Sequence, residues 1–271
     1  MVSDITIGQY FPGRSLIHRM DPRVKIVLTV AYIVFLFIAS NFAGLLCMVA
    51  LMAVVLFSSG VPFPQYFKSL KAIIAIVIFT GVLNLFYGTG TVLWRWKFMQ
   101  ITDGGVYNAI FISVRIVSLI LFSCVLTFTT SPTDLTDALE RIMKPLRVLH
   151  VHVHEIAMMM TIALRFVPTL LEETDKIMSA QKARGADLES GGMMQRIRAL
   201  IPILIPLFVS SFRRAYDLAM AMECRCYHGG EGRTKMKQLH LSRLDVWASA
   251  GMALFCAAAL LCTLFLPASL H

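Results

Sequence analysis

The chain has 271 residues, of which 57% are hydrophobic and only 15% are charged. A soluble domain of this length is about half apolar and about a quarter charged, so this chain has too few charges to cover a soluble surface. Its 25 Lys and Arg residues outnumber its 16 Asp and Glu residues and give a net charge of +9. The composition predicts an integral membrane protein and excludes a disordered chain, a collagen-like fibre and a disulfide scaffold.

Five apolar segments, taken in chain order, predict five transmembrane helices. The first uncharged run, from Ile26 to Phe67, is too long for one span, and turn residues at 40–44 divide it into a helical hairpin. Each segment is close to the ~20 residues that a helix needs to cross ~30 Å of hydrocarbon, although the first two are shorter. The predicted spans are Ile26–Ala39, Leu45–Phe57, Ala72–Tyr87, Val106–Phe128 and Val246–Leu266.

The charged segments between these spans predict the orientation of the chain. Many of the Lys and Arg residues precede the first span or lie between residues 141 and 243. Cytoplasmic loops carry Lys and Arg, so both regions are expected on the cytoplasmic side. The stretch 88–105 is polar, Gly-rich and aromatic, which is typical of a loop at the opposite interface. The topology that fits is a multi-pass cell-membrane protein with a cytoplasmic N-terminus, five spans and an external C-terminus.

Residues 130–245 are too amphipathic to cross a membrane and too apolar to form a linker. Ser131-Pro132-Thr133-Asp134 is typical of a helix start, and Pro145 ends that short helix. Two long helices are predicted to follow, one ending at Arg184-Gly185 and one ending near Tyr227, each with apolar residues at helical spacing. Their apolar stripes consist of Leu164, Val167, Leu171, Thr174 and Met178, and of Ile197, Ile201, Leu204, Phe208, Phe212, Ala215, Leu218 and Met222.

The predicted fold class is all-α, a polytopic membrane protein with about five transmembrane helices. We expect residues 1–129 to form an N-terminal membrane part with four of these helices. Residues 130–245 are expected to form a cytoplasmic domain with the two long amphipathic helices, and residues 246–271 the last transmembrane helix. Two such helices on the cytoplasmic face indicate a platform that lies on the membrane and contacts another protein.

Each long helix ends with one Arg between two small residues. The first ends in Ala183-Arg184-Gly185, and the second in Cys224-Arg225-Cys226. A cation at a helix C-terminus complements the helix dipole by ~0.3–1 kcal/mol, which would make both residues structural. Alternatively, small neighbours let the helix end enter a groove where the guanidinium pairs with a partner carboxylate. Two copies would suit a partner with two similar grooves.

Metal binding is considered for two groups of residues. His150, His152 and His154 follow a period of two, so only the first and last would share a helical face, and an interfacial polar patch is the preferred interpretation. Cys224 and Cys226 lack the spacing and the second pair of ligands of a zinc site. No metal site is therefore predicted.

Three further features leave alternatives open. Arg115 lies inside the fourth predicted span, where a charge is either functional and paired or snorkels near a helix junction. The segment Asp21-Pro22-Arg23 is predicted to anchor the first span at the interface. Glu172, Glu173 and Asp175 form either a solvated face or ion pairs with Arg165 and Lys176.

Four motifs stand out in order along most of the chain. They are Pro12-Gly13-Arg14-Ser15, His18 to Lys25, Arg165-Phe166-Val167-Pro168 through Glu172-Glu173 to Ala183-Arg184-Gly185, and Arg213-Arg214-Ala215 to Ala221-Met222-Glu223. In these motifs and their order, the sequence resembles the transmembrane T component of energy-coupling factor (ECF) transporters, the EcfT/CbiQ family. One departure is the second Arg triplet, Cys224-Arg225-Cys226, where Ala-Arg-Gly is the commoner form.

The resemblance implies a scaffold that couples two other kinds of subunit. Two cytoplasmic ATPases of the ABC type would bind ATP and Mg, and a membrane-embedded S component would capture a vitamin or a metal ion. On this reading Arg184 and Arg225, with their small neighbours, seat in grooves of the two ATPases. The two long helices would then transmit ATP-driven motion to the S component.

The chain itself has no features of an enzyme and no cofactor is predicted for it. It has no Gly-rich loop ending in Gly-Lys-Ser/Thr, no His-Glu-x-x-His and no Gly-x-Ser-x-Gly motif. Since no basic run with interleaved aromatic residues stands apart from the apolar segments, nucleic acid is not expected as a partner. The alternative functions are a standalone channel or carrier, and an intramembrane enzyme that uses the His cluster as a metal site.

Overall fold

The computed structural model of the chain describes residues 10–86, 92–96, 99–186, 192–229 and 238–265. These residues divide into two compact units. The membrane unit consists of residues 10–135 and 238–265 and contains most of the shorter apolar helices. The second unit, residues 136–229, contains the two longest helices and is called the hairpin unit below.

The described elements are helices and one short β-hairpin. In chain order they are α1 (Leu16–Arg19), α2 (Pro22–Ile38), α3 (Phe42–Ser59), α4 (Phe63–Phe86), β1 (Val92–Trp96), β2 (Met99–Thr102), α5 (Asp103–Thr129), α6 (Pro132–Met143), a 3₁₀ helix (Lys144–Leu149), α7 (Val153–Ala183), α8 (Met193–Glu223) and α9 (Arg243–Phe265). The all-α polytopic fold class predicted from the sequence is confirmed.

Five of the described helices are long and apolar enough to cross a membrane. They are α3, α5, α7, the Ile197–Glu223 part of α8, and α9. Helix α4 would add a sixth span if its two parts, which meet at an angle of 59°, cross as one. Because α7 and α8 are among these five helices, their length and apolarity do not show whether they cross the membrane or lie on its surface. Their location on the cytoplasmic face, and the domain boundaries at 129/130 and 245/246, stay predictions.

Side-chain caps explain why several helices begin where they do. The Asp21 side chain accepts a hydrogen bond from the Arg23 amide at the start of α2, with Pro22 in the first helical position. Ser131 Oγ accepts the Asp134 amide at 3.1 Å, which is the predicted start of α6. Thr102 Oγ1 accepts the Gly105 amide at the start of α5. A Cβ atom at Gly105 would lie 2.5 Å from the Leu85 carbonyl oxygen, so glycine permits the close approach of α4 and α5.

The stretch 88–105 differs from the sequence-based expectation of a loop. Its residues 92–96 and 99–102 form two antiparallel strands, and α5 begins at Asp103. Val92-Leu93-Trp94-Arg95-Trp96 is rich in β-branched and aromatic residues, which favour a strand over a loop. The expectation of a loop rested on composition and not on this short pattern, and the location at the far interface stays a prediction.

The core of the membrane unit is built from residues of α1 to α5 and of α9. The rings of Tyr32 and Phe122 are stacked with their centroids 3.8 Å apart, and the Tyr32 hydroxyl donates to the Met48 carbonyl oxygen at 3.3 Å. Met252 and Cys256 of α9 are buried in the same cluster. Large aromatic side chains dominate such a core because each removes a large apolar area from its surroundings.

A buried polar cluster holds the start of α2 to α9 and to the end of α5. Asp245, only 2% exposed, accepts the Asp21 amide at 2.9 Å and both the amide and the hydroxyl of Ser242. Arg23 donates from both Nε and Nη2 to the Asp21 carboxylate, and this ion pair holds the pKa of Arg23 above its ordinary value. Lys25 Nζ donates to the carbonyl oxygen of Thr129, the last residue of α5, at 2.9 Å. Asp21-Pro22-Arg23 is thus part of a structural clasp.

Arg115 caps a helix junction inside the membrane unit. Its guanidinium donates to the carbonyl oxygen of Ala39, the residue that ends α2, and lies 4.5 Å from the ring centroid of Phe111. The last carbonyl groups of a helix have no partner within it, and this hydrogen bond supplies one. Of the two alternatives left open, the structure supports a residue at a helix junction.

Candidate functional site

The end of α7 adopts a Schellman turn centred on Arg184. The Ala186 amide donates to the Gln181 carbonyl oxygen at 3.0 Å, and the Gly185 amide donates to the Lys182 carbonyl oxygen at 3.0 Å. Gly185 has a φ of +85°, the left-handed conformation that this turn requires. We call Ala183-Arg184-Gly185 the first tip.

The end of α8 repeats this turn in detail. The Tyr227 amide donates to the Met222 carbonyl oxygen at 3.1 Å, and the Cys226 amide donates to the Glu223 carbonyl oxygen at 2.9 Å. Cys226 has a φ of +55° and takes the position that Gly185 has in the first tip. The departure from the family pattern at Cys226 therefore leaves the turn intact, although a residue with a Cβ is strained there. We call Cys224-Arg225-Cys226 the second tip.

Both tips present their arginine in the same way. In each turn the Arg is the residue before the left-handed position, and both Arg184 and Arg225 are exposed. Within the described residues, neither guanidinium forms an ion pair or a hydrogen bond with the chain. Two exposed cations at identically built helix ends suit binding by a partner that offers two carboxylate-bearing grooves.

Helices α7 and α8 run antiparallel within the hairpin unit. Gln181 contacts Pro202, Glu173 contacts Ser210, and Thr169 contacts Arg214, so residues later in α7 meet residues earlier in α8. Beyond the end of α8, the Tyr227 hydroxyl lies 3.0 Å from the Met158 sulfur. The first tip lies 26 residues along α7 from Met158, so the two tips are about 40 Å apart along the pair at 1.5 Å per residue.

An ion pair joins the two helices between these ends. Arg214 Nη2 donates to Glu173 Oε2 at 3.0 Å, and Arg214 Nη1 donates to Thr169 Oγ1 at 2.8 Å. The Ser210 hydroxyl donates to Glu173 Oε1, and the Arg214 guanidinium lies over the Phe166 ring at 5.8 Å. Glu173 therefore pairs across the helices, and not with Arg165 or Lys176, the partners considered from the sequence.

The pairing of Glu173 with Arg214 was not among the sequence-based predictions. The residues are 41 positions apart, and only the antiparallel arrangement of α7 and α8 brings them together. A signal was present in the Thr169 and Glu173 pair and the Ser210 and Arg214 pair, each at i, i+4 on an otherwise apolar helix face. Asp245 was also missed, although an acid in the first turn of an apolar helix is a recognisable cap.

Most of the predicted apolar stripe of α8 does not contact α7. Ser210 and Arg214, which do contact α7, are half-buried, and so are Leu218 and Met222, the last two residues of the stripe. The predicted stripe is instead largely exposed in the single chain, and Phe212 reaches 71%. Its exposed large side chains are Ile197, Ile201, Leu204, Phe208 and Phe212. An apolar face of this length indicates contact with lipid or with a partner protein.

The three histidines lie at the start of α7 in different environments. His150 has a φ of +60° and ends the 3₁₀ helix, and His152 precedes the first residue of α7. His154 Nδ1 lies 3.0 Å from Glu140 Oε1 of α6. Within the described parts of the chain, no group of three or more His, Cys, Asp or Glu side chains is arranged to hold a metal ion.

The N-terminal motif builds a compact turn before α2. His18 lies with Nδ1 2.7 Å from Ser15 Oγ and with Nε2 2.9 Å from the Phe11 carbonyl oxygen. The Phe11 amide donates to the Phe128 carbonyl oxygen at 2.9 Å, which ties this turn to the end of α5. A Cβ atom at Gly13 would lie 2.7 Å from the His18 ring. These contacts give Gly13, Ser15 and His18 a structural role.

The sequence matches known proteins over nearly its whole length. The family described as "Cobalt transport protein" (CbiQ) matches residues 13–236. The "Energy-coupling factor transporter transmembrane protein EcfT" of Ruminiclostridium cellulolyticum is 53% identical and covers 91% of this chain and 92% of the relative. The proteins of the same name from Clostridium kluyveri and Bacillus subtilis are 52% and 46% identical, with coverage of 97% and 96%, and of 88% and 91%.

The fold and the comparisons define the class of this protein as a multi-pass α-helical membrane component of a transporter. The chain belongs to the EcfT/CbiQ family of energy-coupling factor transporter transmembrane proteins. It is therefore the energy-coupling transmembrane component of an ECF transporter, a complex that contains further subunits.

Proposed function

We propose that the chain couples a pair of cytoplasmic ABC-type ATPases to a membrane-embedded S component that captures a vitamin or a metal ion. The observation that carries this proposal is the pair of matched tips, each presenting one exposed arginine from the same left-handed turn. Arg184 and Arg225 each bind a carboxylate in a groove of one ATPase, and the small residues beside them let the helix ends enter. The chain is a non-catalytic scaffold, and ATP and Mg are bound by the ATPases.

The spacing of the tips suits two separate partner subunits. At about 40 Å along the antiparallel pair, the tips are too far apart to enter one groove. When ATP binding changes the distance between the ATPase grooves, the tips move with them and α7 and α8 transmit the motion. The exposed apolar stripe of α8 contacts the S component and carries that motion to it. The N-terminus lies in the cytoplasm and the C-terminus lies outside.

The proposal is tested by reversing the charge of both tips. The transporter is co-expressed with its ATPases and S component, and labelled vitamins and cobalt(II) are screened for the one that the parent complex accumulates. Truncating one partner of a buried charge pair costs roughly 2–5 kcal/mol, so Arg184→Glu with Arg225→Glu should release the ATPases and abolish uptake. Lys176 is an exposed cation of α7 away from the tip, so Lys176→Glu is the matched control. This variant should keep the ATPases bound and should keep uptake. Full uptake by the double tip variant would refute the proposal.

A further inference from the structure

We propose that Arg115 of α5 binds the phosphate of an anionic phospholipid, and that one acyl chain of this lipid lies along the exposed face of α2. Phosphatidylglycerol is the probe for this chemistry, because its phosphodiester carries the only charge of its headgroup. The inference concerns the membrane unit alone and is independent of the function proposed for the two tips.

The charge of Arg115 is not neutralised by its hydrogen-bond partner. Among the described residues, its guanidinium donates to one neutral group, the Ala39 carbonyl oxygen, and its Nε atom is buried with no partner. A guanidinium has five N–H donors, so three on Nη1 and Nη2 remain for a ligand from outside the chain. A charge inside the hydrocarbon is costly unless an opposite charge or water compensates it. The half-buried side chain is therefore a site for an anion.

The acidic side chains of the membrane unit all lie far from Arg115. Three of the four are near the buried Lys25 at the start of α2, about 25 Å from the end of that helix at which Arg115 lies. The fourth starts α5, twelve residues or about 18 Å before Arg115. The four are Asp21, Asp134, Asp245 and Asp103. An anion that neutralises Arg115 therefore comes from outside the membrane unit.

Aromatic rings line the guanidinium of Arg115 on the side of the protein. Its Cζ atom lies 4.5 Å from the ring centroid of Phe111 and 5.7 Å from that of Phe37. The Phe111 ring is in turn stacked on Tyr107, with the centroids 5.8 Å apart. Cation–π contacts of this kind orient a guanidinium without neutralising it. An oriented guanidinium can bind two phosphate oxygens with two parallel hydrogen bonds.

An exposed apolar strip on α2 leads away from this site. Its members follow helical spacing, and each is about half exposed, from 48% to 59%. Because Phe37 contacts Arg115, the strip begins at the guanidinium. Its ten residues cover about 15 Å, which is one leaflet of the ~30 Å hydrocarbon and so the length of one acyl chain. We call Val27, Val30, Val34 and Phe37 the α2 strip.

The short length of α2 brings lipid headgroups to the level of Arg115. Helix α2 has 17 residues, about 25 Å, and is shorter than the ~30 Å thickness of the hydrocarbon. A short hydrophobic segment thins the bilayer around it. Arg115 lies near the middle of the 27-residue α5 but beside the end of α2, so the headgroups of the thinned leaflet reach it.

The lipid site is tested by photo-cross-linking in the complete transporter. The complex with its ATPases and S component is reconstituted into vesicles that hold equal amounts of phosphatidylglycerol and phosphatidylcholine. The photoreactive residue p-benzoylphenylalanine is placed at Val34 in the α2 strip or, as the control position, at Leu254, an exposed apolar residue of α9. After illumination, the ratio of phosphatidylglycerol to phosphatidylcholine adducts at each position is measured by mass spectrometry.

We expect phosphatidylglycerol to be enriched at Val34 and not at Leu254. The enrichment should be about fivefold, the ratio typical of one cation that attracts an anionic lipid. Arg115→Met should lower the ratio at Val34 to that at Leu254. Arg115→Lys should keep only part of the enrichment, because lysine keeps the charge but not the two parallel hydrogen bonds. Lys68→Met, which removes an exposed cation of α4 outside the site, is the matched control and should keep all of it.

Four results would overturn the lipid site. The first is an equal ratio at Val34 and Leu254 in the parent, which needs no change at Arg115. The second is an adduct between the Val34 probe and another protein chain, because the α2 strip would then be an interface between subunits. The third is loss of the enrichment in excess inorganic phosphate, which would indicate a site for a free anion. If Arg115→Met does not assemble with the other subunits, Arg115→Lys decides, and an enrichment unchanged by lysine is the fourth.

Discussion

At the scale of single residues, the two tips show how one backbone turn can be built from different side chains. Gly185 takes the left-handed conformation without strain, and Cys226 takes it with a Cβ atom. An L-residue other than glycine is disfavoured there by roughly 1–2 kcal/mol. The second tip is therefore formed at a cost that the first tip avoids.

We predict that single substitutions at these two positions have opposite effects on the stability of the complex. Cys226→Gly should raise the stability of the complex by up to about 1 kcal/mol, and Gly185→Ala should lower it by a similar amount. A Cβ at Gly185 meets no atom within 4 Å, so any loss comes from the backbone alone. The measurement is the apparent melting temperature of the detergent-purified complex.

Gly251→Ala is the control for this pair of substitutions. Gly251 lies inside α9 with no neighbour within 4 Å of an added Cβ, and it has no positive φ. Alanine is favoured over glycine in a helix by about 1 kcal/mol, so this variant should be neutral or more stable. A loss at Gly251 equal to that at Gly185 would contradict the backbone explanation.

Lys25 is a second residue whose buried environment changes a measurable property, the pH dependence of stability. It precedes the apolar stretch of α2 and is only 6% exposed, and burial lowers its pKa from 10.5 to about 8, against the charges of Asp134, Asp245 and Asp21. Below pH 8 both the folded and the unfolded chain hold the proton. Between pH 8 and 10.5 only the unfolded chain holds it, so stability rises with pH in this window.

We predict that this rise depends on Lys25. A pKa difference of this size corresponds to roughly 3 kcal/mol over the whole window. The apparent melting temperature of the parent should therefore rise relative to that of Lys25→Met as the pH is raised from 8 to 10. Comparing the two proteins removes the contribution of other titrating groups. Parallel curves would show that Lys25 keeps its ordinary pKa.

At the scale of secondary-structure elements, α7 and α8 have the same length but different surfaces. The α7 stripe predicted from the sequence is half-buried, whereas the α8 stripe is exposed from Ile197 to Ala215 and half-buried only at Leu218 and Met222. Apolar periodicity predicts that a helix has a contact face, but it does not say whether the contact lies within the chain. Here α8 uses a different face, with Ser210 and Arg214, to contact α7.

We predict that the exposed stripe of α8 binds the S component. Phe208→Asn with Phe212→Asn should release the S component on purification while the ATPases stay bound, because the apolar contact is lost and the tips are untouched. Val148→Asn is the matched control, since Val148 is 83% exposed in the 3₁₀ helix outside the stripe. Unchanged recovery of the S component would place the stripe against lipid instead.

At the scale of the whole molecule, composition and helix lengths do not decide whether α7 and α8 cross the membrane. Helices α7 and α8 are long and apolar enough to cross a membrane, although the distribution of Lys and Arg predicts that they lie on its cytoplasmic face. If both crossed, the first tip would lie outside the cell, whereas the second tip would be cytoplasmic in either arrangement. The first tip is therefore the informative position.

We predict that the first tip is cytoplasmic. Ala186→Cys, in a chain with Cys224→Ser and Cys226→Ser, should resist a membrane-impermeant maleimide on intact cells and react once the cells are permeabilised. The chain with native Cys224 and Cys226, both exposed, is the control for cytoplasmic labelling. Reaction of Ala186→Cys on intact cells would mean that α7 spans the membrane.

The parts of the fold that follow from local patterns were predictable. Ser131, Pro132 and Asp134 specify the start of α6, and the uncharged runs specify the apolar helices, because caps and apolar periodicity act over a few residues. The strands at 92–96 and 99–102 were not predicted, because the overall composition of this stretch is typical of a loop although its local pattern favours strands. The distant partners, Ala39 for Arg115, Asp21 for Asp245 and Arg214 for Glu173, could not be predicted from local patterns, since each contact joins residues far apart in the chain.

By itself, the sequence determined that this is an all-α membrane protein of the energy-coupling factor family, with one arginine at the end of each long helix. These properties reside in composition, local caps and ordered motifs. Only the tertiary structure decided that Cys226 completes the same turn as Gly185, that most of the α8 stripe stays exposed, and that Glu173 pairs with Arg214. The reason is physical: a charge or an apolar face is satisfied by whatever the folded chain brings within a few ångströms of it, and sequence separation does not limit that choice.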